Sequence, residues 1–237
     1  PINEDANVSI ITINSEEGLE IMRHTLTAQV LARAIKTIYP DSQLAIGPTI
    51  KDGFYYDFKT NKTVSIDSLH DIEKEMKKII DSKSNITKKL FSRKDALKVF
   101  NDNKEPYKKL IIEDSDQKND FQLYFQDDNQ FADLCRGPHL PNLSFIGSFK
   151  LTRVSGAYWK GDSKNEMLTR IYGTAWTSEQ ELKKHLLEVE EAEKRDHRKL
   201  GKEMDLFHFQ DEAPGMVFWH PDGWTIYRNL RNFVRRR

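Results

Sequence analysis

The sequence contains a single cysteine and no long apolar run, and both absences exclude classes of protein. Cys135 is the one cysteine among 237 residues, so no intramolecular disulfide can form, which argues against a disulfide-stabilised secreted domain. No segment approaches the roughly 18 consecutive apolar residues of a membrane span. Residues 1–18 are polar and acidic, unlike a signal peptide. We therefore predict a cytoplasmic protein with no membrane partner.

The chain also lacks net charge and the familiar phosphate-binding and nucleophile motifs. Lys plus Arg total 37 and Asp plus Glu total 37, which argues against a uniformly basic nucleic-acid-binding protein but is compatible with a local basic patch. The scattered glycines form no P-loop, dinucleotide fingerprint or nucleophile elbow. Apolar residues make up 38% and aromatic residues 11% of the chain, so it can build a core, and its length fits one to two domains.

Predicted strands and helices alternate irregularly, which favours an α+β fold over a doubly wound one. Helices are predicted from apolar spacing and capping residues, and strands from β-branched and aromatic runs. The predicted elements are a strand at 8–13, a helix at 17–39, a hairpin at 44–58 turning at 51–53, a helix at 68–81 capped by Ser68 and Asp71, a helix from Ser92, extended segments at 109–112 and 121–126, and strands within 145–176.

A long, highly charged helix is predicted from Thr177 to Met204, with Thr177 and Gln180 as its capping box. Its centre, EVEEAEKRDHRKLGKE, has hardly any apolar residue. A helix that is polar on all sides typically bridges domains through solvent. The helix therefore predicts a domain boundary.

The densest group of reactive side chains lies in the segment Asp133-Leu134-Cys135-Arg136-Gly137-Pro138-His139. Its Gly-Pro pair fixes a turn that can fold His139 back toward Cys135. Cysteine and histidine are favoured zinc ligands, but two ligands are too few for a site. From the residues alone, a metal or catalytic role and a purely structural role both remain open.

Three further residues carry functional chemistry only if suitable partners lie nearby. His24 is in the first predicted helix, where a His-x-x-x-His pair would place two imidazoles on one face. No second histidine follows it, and position 29 is Gln29. Tyr56 alternates with Tyr55 along a strand, so one of them points to the core and the other to solvent or a cleft. Lys108 by itself is most simply a solvated lysine.

Five strings of the sequence, in this order, are more specific than these patterns. They are RHTLTAQVLARAIKTIYP, AIGPTIKDGFYYDF, ADLCRGPHLPN, GAYWKGDSKNEMLTRIYGTAW and KRDHRKLGKEMDLFHFQDEAPGMVFWHPDGWTIYRNL. Together they resemble the threonyl-tRNA synthetases of the bacterial type, and the resemblance covers nearly the whole chain.

The resemblance implies an N-terminal portion of such an enzyme, built around an editing domain that is shared in outline with alanyl-tRNA synthetase. The implied fold is an antiparallel sheet with packed helices, followed by a linker helix. The implied domains are a remnant of a ubiquitin-like domain or a tail at 1–14, the editing domain at 15–176, the linker at 177–204 and the start of a class II catalytic domain at 205–237. ATP, Mg²⁺ and zinc would belong to the rest of that catalytic domain, so this portion is expected to have no cofactor of its own.

The resemblance also implies an activity and the residues that perform it. The editing domain of the family hydrolyses mischarged Ser-tRNA(Thr) after transfer. Carried over residue by residue, the implied catalytic residues are Lys108, His139, Tyr56 and Asp133, and the implied pocket residues are His24, Gln29, Cys135 and Arg136.

The sequence departs from the family pattern at the histidine pair. Gln29 stands in for the second histidine, and a one-residue insertion within 25–28 reconciles the alignments from either side. Glutamine is a poor zinc ligand. An insertion also turns His24 by about 100° around the helix axis relative to the residues after it. We therefore predict no tightly held zinc; if a metal does bind, its ligands would be Cys135, His139 and His24.

Two functions follow from the resemblance. The first is post-transfer editing within an enzyme that attaches threonine to tRNA(Thr) with ATP; the alternative is an editing-impaired module that grips the tRNA acceptor end. Resemblance to a catalytic domain at 205–237 argues against a free-standing editing factor. The implied partners are tRNA(Thr) and Ser-tRNA(Thr), with a homodimer as the full-length enzyme and a monomer as this portion. Basic clusters at 194–202 and 228–237 are candidate phosphate contacts or ordinary solvated side chains.

Overall fold

The structure, a computed structural model, describes residues 10–127 and 131–236. The chain divides into two compact units, the first ending at Leu182 and the second beginning at Lys183. In the first unit the helices are α1 (Glu16–Thr25), α2 (Ala32–Ile38), α3 (Ile66–Asp81), α4 (Arg93–Asp102) and α5 (Pro106–Glu113). Its strands are β1 (Gln43–Leu44), β2 (Thr49–Ile50), β3 (Gly53–Lys59), β4 (Ile86–Phe91), β5 (Phe121–Gln126), β6 (Phe131–Leu134), β7 (Ser148–Tyr158) and β8 (Met167–Trp176).

Two antiparallel sheets form the first unit and confirm the α+β prediction. The larger sheet has the order β1-β3-β8-β7, with β2 paired to β3. Helices α1 to α3 pack against it, and their apolar residues meet Phe54, Tyr56 and Phe58, which alternate onto one face of β3. The smaller sheet has the order β4-β5-β6 and packs against α4, with Phe100 and Leu123 in its core.

The first helix contains a π-helical turn at Leu26–Leu31, between α1 and α2. Ser15 caps its start by accepting a hydrogen bond from the Gly18 N–H, and the helical conformation runs on to Ile38. The predicted extent of the helix is therefore confirmed. A π turn holds one extra residue within a helix. It begins where the sequence predicts an inserted residue.

Three local predictions are corrected. Residues 109–112 are helical in α5 rather than extended, because Pro106 at the first helical position fixes a helical φ and starts a helix there. Helix α3 begins at Ile66 and its capping box joins Ser65 to Ser68, not Ser68 to Asp71. Of the strand predicted at 8–13, residues 8 and 9 lie outside the described residues and 10–13 form no strand.

The predicted helix over 177–204 is two helices, α6 (Glu179–Lys194) and α7 (His197–Glu203). Between them the Asp196 carboxylate accepts hydrogen bonds from the Arg198 N–H and guanidinium, which replaces continuous helix by a new N-cap. Of the residues in α6, Leu182 alone is buried, which agrees with its predicted polar character. The basic cluster at 194–202 is divided by this break.

The second unit continues with a two-stranded pairing and a helix. Its strands are β9 (Phe207–His208) and β10 (Phe218–Trp219), and its last helix is α8 (Pro221–Arg235). Within the part of the chain that the structure describes, no helix is both long and apolar enough to cross a membrane.

A buried carboxylate joins α3 to the large sheet and gives a stability prediction. Glu73 accepts hydrogen bonds from the Leu151 N–H at 2.8 Å and from the Lys150 ammonium at 3.0 Å. Glu73→Ala leaves the buried Leu151 N–H unpaired and should lower the free energy of unfolding in urea by about 1–3 kcal/mol. Asp71→Ala, which removes an exposed carboxylate of the same helix, should cost less than about 0.5 kcal/mol. Equal losses of unfolding free energy in the two variants would contradict the role of Glu73 in joining α3 to the large sheet.

Candidate active site

A cleft of about 790 Å³ lies in the first unit, and most of the candidate residues line it. Its lining includes His24 from α1, Lys108 from α5, Asp133 from β6, and Cys135 and Arg136 from the following loop. The first helix lies against the loop that contains Cys135 and His139, since His24 contacts Cys135 and Thr25 contacts His139. Loop and helix side chains therefore form one wall of the cleft.

An imidazole–thiol–imidazole cluster forms that wall. His24 Nε2 lies 2.8 Å from Cys135 Sγ. The rings of His24 and His139 stack with their centroids 4.6 Å apart and an interplanar angle of 7°. His139 does not line the cleft; it lies behind His24 and against the edge of Tyr124, at 4.4 Å between ring centroids. The His24 imidazole is therefore in direct contact with the cleft, whereas the His139 imidazole lies behind it.

Thr25, to which the sequence pattern assigns no role in the site, fixes the orientation of His139. Its hydroxyl donates to the Ile21 carbonyl at 2.8 Å and accepts from the Leu140 N–H at 2.9 Å. His139 Nδ1 lies 3.2 Å from the same oxygen. Because the one hydroxyl proton is already donated, this network assigns the Nδ1 proton to the imidazole. His139 Nε2 then carries a lone pair, and it is buried without a hydrogen-bond partner among the described residues.

Burial keeps all three members of the cluster neutral near pH 7. It lowers the pKa of His24, and together with the neighbouring His24 it lowers the pKa of His139 to about 3. Burial also raises the pKa of the Cys135 thiol to about 11. A neutral thiol is a weak nucleophile. The cluster therefore offers neutral imidazoles, which can accept protons, rather than a thiolate.

A buried ion pair stands beside the cluster. Lys108 Nζ lies 2.6 Å from Asp133 Oδ1, and both side chains are less than 5% exposed. The Tyr56 hydroxyl lies 3.5 Å from Asp133 Oδ2. Burial raises the pKa of Asp133, although the Lys108 charge opposes the shift. Tyr56 is fully buried behind this carboxylate, so it supports the pair and is not among the residues that line the cleft.

Gln29, the expected replacement for a second histidine, is not part of this arrangement. Its buried side chain contacts Gln126 of β5, at 3.2 Å between Gln126 Nε2 and Gln29 Oε1. Gln126 and Tyr124 share one face of β5, opposite Leu123 and Phe125. Strand alternation could have placed both residues on one face of β5, but only the folded structure shows that this face meets Gln29 and His139.

The cluster is the one group of potential metal ligands among the residues that the structure describes. Ligand atoms of His24, Cys135 and His139 all lie within 4.8 Å of one another. The expected displacement of His24 by an inserted residue is therefore wrong, because His24 precedes the π turn and the extra residue is absorbed after it. The buried, unpaired His139 Nε2 and the His-Cys-His donor set fit zinc with three protein ligands.

The chain is similar in sequence to known proteins. Residues 122–172 match the family described as threonyl and alanyl tRNA synthetase second additional domain. The threonine–tRNA ligase of Legionella pneumophila is 52% identical over 236 residues, that of Prochlorococcus marinus 51% over 235, and that of Acinetobacter baumannii 48% over 235. These matches cover 99–100% of this chain, whereas the chain spans only 36–37% of the relatives' lengths.

A glycine in the loop tests how tightly the cluster is packed. Gly137 has φ +64°, and a Cβ there would lie 2.0 Å from the Tyr124 hydroxyl oxygen. Gly161 has φ +74°, and a Cβ there would meet nothing within 4 Å. Gly137→Ala should therefore destabilise the protein by about 1–3 kcal/mol more than Gly161→Ala in urea unfolding. Adding Tyr124→Phe to Gly137→Ala should recover part of the lost unfolding free energy. Equal effects of the two glycine substitutions would show that Gly137 is not crowded by Tyr124.

Proposed function

Starting from the kinship of the whole chain with threonine–tRNA ligases, we propose that its cleft hydrolyses the aminoacyl ester of Ser-tRNA(Thr). This activity would serve an enzyme that attaches threonine to tRNA(Thr) with ATP. The observation that carries the proposal is the meeting of the His24–Cys135–His139 cluster and the Lys108–Asp133 ion pair in one cleft. Neutral proton acceptors and an anchored cation are what ester hydrolysis needs.

Hydrolytic editing answers a limit on binding specificity. Serine differs from threonine by one methyl group and keeps the hydroxyl through which a threonine site recognises its substrate. One missing methyl discriminates by only about 1–3 kcal/mol, so a synthetase that needs high accuracy uses a second, hydrolytic site. The substrate class proposed for the cleft is thus an amino acid esterified to the terminal ribose of tRNA.

The chemistry assigns each proton a place. A water molecule attacks the ester carbonyl carbon, and its proton passes to the neutral imidazole of His24 on the cleft wall. The Lys108 ammonium, anchored by Asp133, donates a hydrogen bond to the oxygen on which negative charge develops. The bond to the ribose oxygen then breaks, and that oxygen takes the proton, which gives free serine and tRNA. His139 supports His24 by stacking, and Tyr56 holds Asp133.

A zinc ion, if bound, would be held by His24, Cys135 and His139 and would supply a Lewis acid there. Zinc binding would displace the thiol proton of Cys135, since a coordinating thiol is deprotonated. Gln29 is directed toward Gln126 and does not complete the set. Because Gln29 supplies no fourth ligand, we retain the proposal that the chain needs no tightly held zinc.

The alternative function is binding of the tRNA acceptor end without hydrolysis. The first helix has no second histidine, and Gln29, which stands in its place, points to Gln126 and away from the cluster; both features favour this alternative. For the longer protein we propose a homodimer that uses ATP, Mg²⁺ and zinc in its catalytic part. The last two proposals concern the part of the relatives that lies outside the region matched by this chain.

Substitution of the proposed groups tests the two functions against each other. His24→Ala should slow deacylation of Ser-tRNA(Thr) by about 100-fold, the usual size for a general acid–base group, and Lys108→Ala should slow it by about 100-fold through loss of the hydrogen bond to the developing oxyanion. His70→Ala, which removes an exposed histidine of α3, should leave the rate unchanged. Thermal unfolding should first establish that each variant is folded at the assay temperature, because Lys108→Ala leaves a buried carboxylate unpaired. Full activity in both site variants, or none in the unmodified chain, would overturn the proposed function.

Metal analysis tests the cofactor proposal separately. The purified chain, after exchange into metal-free buffer, should retain much less than one zinc per chain. Added zinc should not raise the deacylation rate by more than about twofold, because the proposed proton acceptor is an imidazole that is already neutral at pH 7. One zinc per chain, or activity that requires added zinc, would contradict the metal-free account.

A further inference from the structure

The π turn of the first helix is gripped by a buried side chain from the small sheet. Gln126 Nε2 donates a hydrogen bond of 2.5 Å to the Gln29 backbone carbonyl and lies 3.2 Å from Gln29 Oε1. Gln126 Oε1 accepts from Arg33 Nη1 at 2.8 Å. Gln126 is fully buried. A glutamine at the end of a strand thus links two positions of the helix, Gln29 inside the π turn and Arg33 just beyond it.

Contacts with other parts of the chain hold both halves of the helix, and the π turn lies between them. The first half is held by the contact of His24 with Cys135 and of Thr25 with Leu140. The second half is held by apolar side chains in the core, among them Ile35. If the π turn relaxed to an α-helix, one half would rotate by about 100° relative to the other. The position of His24 therefore depends on keeping the π turn.

Gln126 supplies a hydrogen-bond donor to a backbone carbonyl inside the π turn. Within the turn the Ala32 N–H bonds to the Thr27 carbonyl, five residues back. Where a helix returns from this spacing to four residues, one carbonyl drops out of the ladder, and a buried carbonyl needs another donor. The Gln29 carbonyl lies in this stretch, and the Gln126 amide supplies a donor to it.

We propose that Gln126 is a positioning residue, which holds the π turn and thereby sets His24 against Cys135 and His139. It acts through the helix and is not among the residues that line the cleft. The consequence for catalysis rests on the proposed deacylation. The consequence for the geometry of the cluster does not depend on that activity, because the alkylation rate of the Cys135 thiol reports it.

The experiment measures the same variants in two ways, on the chain as it stands. Gln126→Met keeps the length of the side chain and removes its hydrogen bonds to Gln29 and Arg33, whereas Arg33→Met removes the guanidinium that donates to Gln126 from a half-buried position. Thr37→Ala is the control, since it removes an exposed hydroxyl that donates to the Arg33 carbonyl in the same helix. The first readout is steady-state deacylation of Ser-tRNA(Thr). The second is the alkylation rate by iodoacetamide at fixed pH of Cys135, the one thiol in the chain.

Gln126→Met should lower kcat for deacylation by about 10- to 100-fold with KM changed by less than about twofold, as expected for a displaced catalytic group. It should also change the alkylation rate by about threefold or more, because the neighbours of a thiol control its reactivity. Arg33→Met should shift both readouts in the same direction by less, and Thr37→Ala should shift neither.

The outcomes separate this inference from the proposed function. If the unmodified chain deacylates and both variants match it in rate and in alkylation, Gln126 does not position the cluster. If the unmodified chain does not deacylate but the alkylation rate shifts as expected, the proposed function fails and the positioning role stands. If Gln126→Met does not fold, Arg33→Met decides: a wild-type alkylation rate in that variant overturns the proposal.

Discussion

The buried ion pair between Lys108 and Asp133 is the interaction on which the site depends. It joins α5 to β6, and the Tyr56 hydroxyl beside Asp133 adds the large sheet to the same contact. Two charges with little solvent exposure are stable only while each compensates the other, since an isolated buried charge is costly. The pair therefore fixes the small sheet and α5 against the large sheet. This arrangement brings a cation to the wall of the cleft.

Around this pair the molecule keeps its other reactive groups neutral. Burial lowers the pKa of both imidazoles and raises the pKa of the thiol, so the cluster carries no charge near pH 7. In the proposed reaction, the neutral His24 imidazole accepts a proton from water. The anchored Lys108 ammonium stabilises the negative charge that develops on the substrate. This separation of one charged pair from one neutral cluster is the electrostatic basis of the proposed hydrolysis.

The first helix reconciles two demands that an ordinary α-helix could not satisfy together. Its first half must present His24 and Thr25 to the loop, and its second half must bury its apolar stripe. One additional residue between them would rotate these faces apart, and the π turn at Leu26–Leu31 takes up that residue. The widened turn is buried, so polar side chains such as Gln126 must supply hydrogen bonds to its backbone.

Much of this architecture follows from the sequence by itself. The α+β class, the extent of the first helix, the hairpin that turns at Asp52-Gly53 between β2 and β3 and the helix capped by Ser92 depend on local periodicity and turn chemistry. Neighbouring residues determine these features. The loop from Asp133 to His139 is recognisable because its reactive residues are neighbours in sequence. The break at Asp196 and the helix after Pro106 were misjudged because short polar or apolar stretches fit more than one local structure.

Only the tertiary structure decided which residues meet. Sequence spacing gave no means to see that Thr25 orients His139 from 114 residues away, or that Gln29 turns to Gln126 rather than to the cluster. It led to the wrong expectation that an inserted residue would carry His24 out of reach of Cys135. A helix can widen at one turn when contacts on both sides hold its halves in place. Those contacts come from distant parts of the chain, so their effect appears only when the chain is folded.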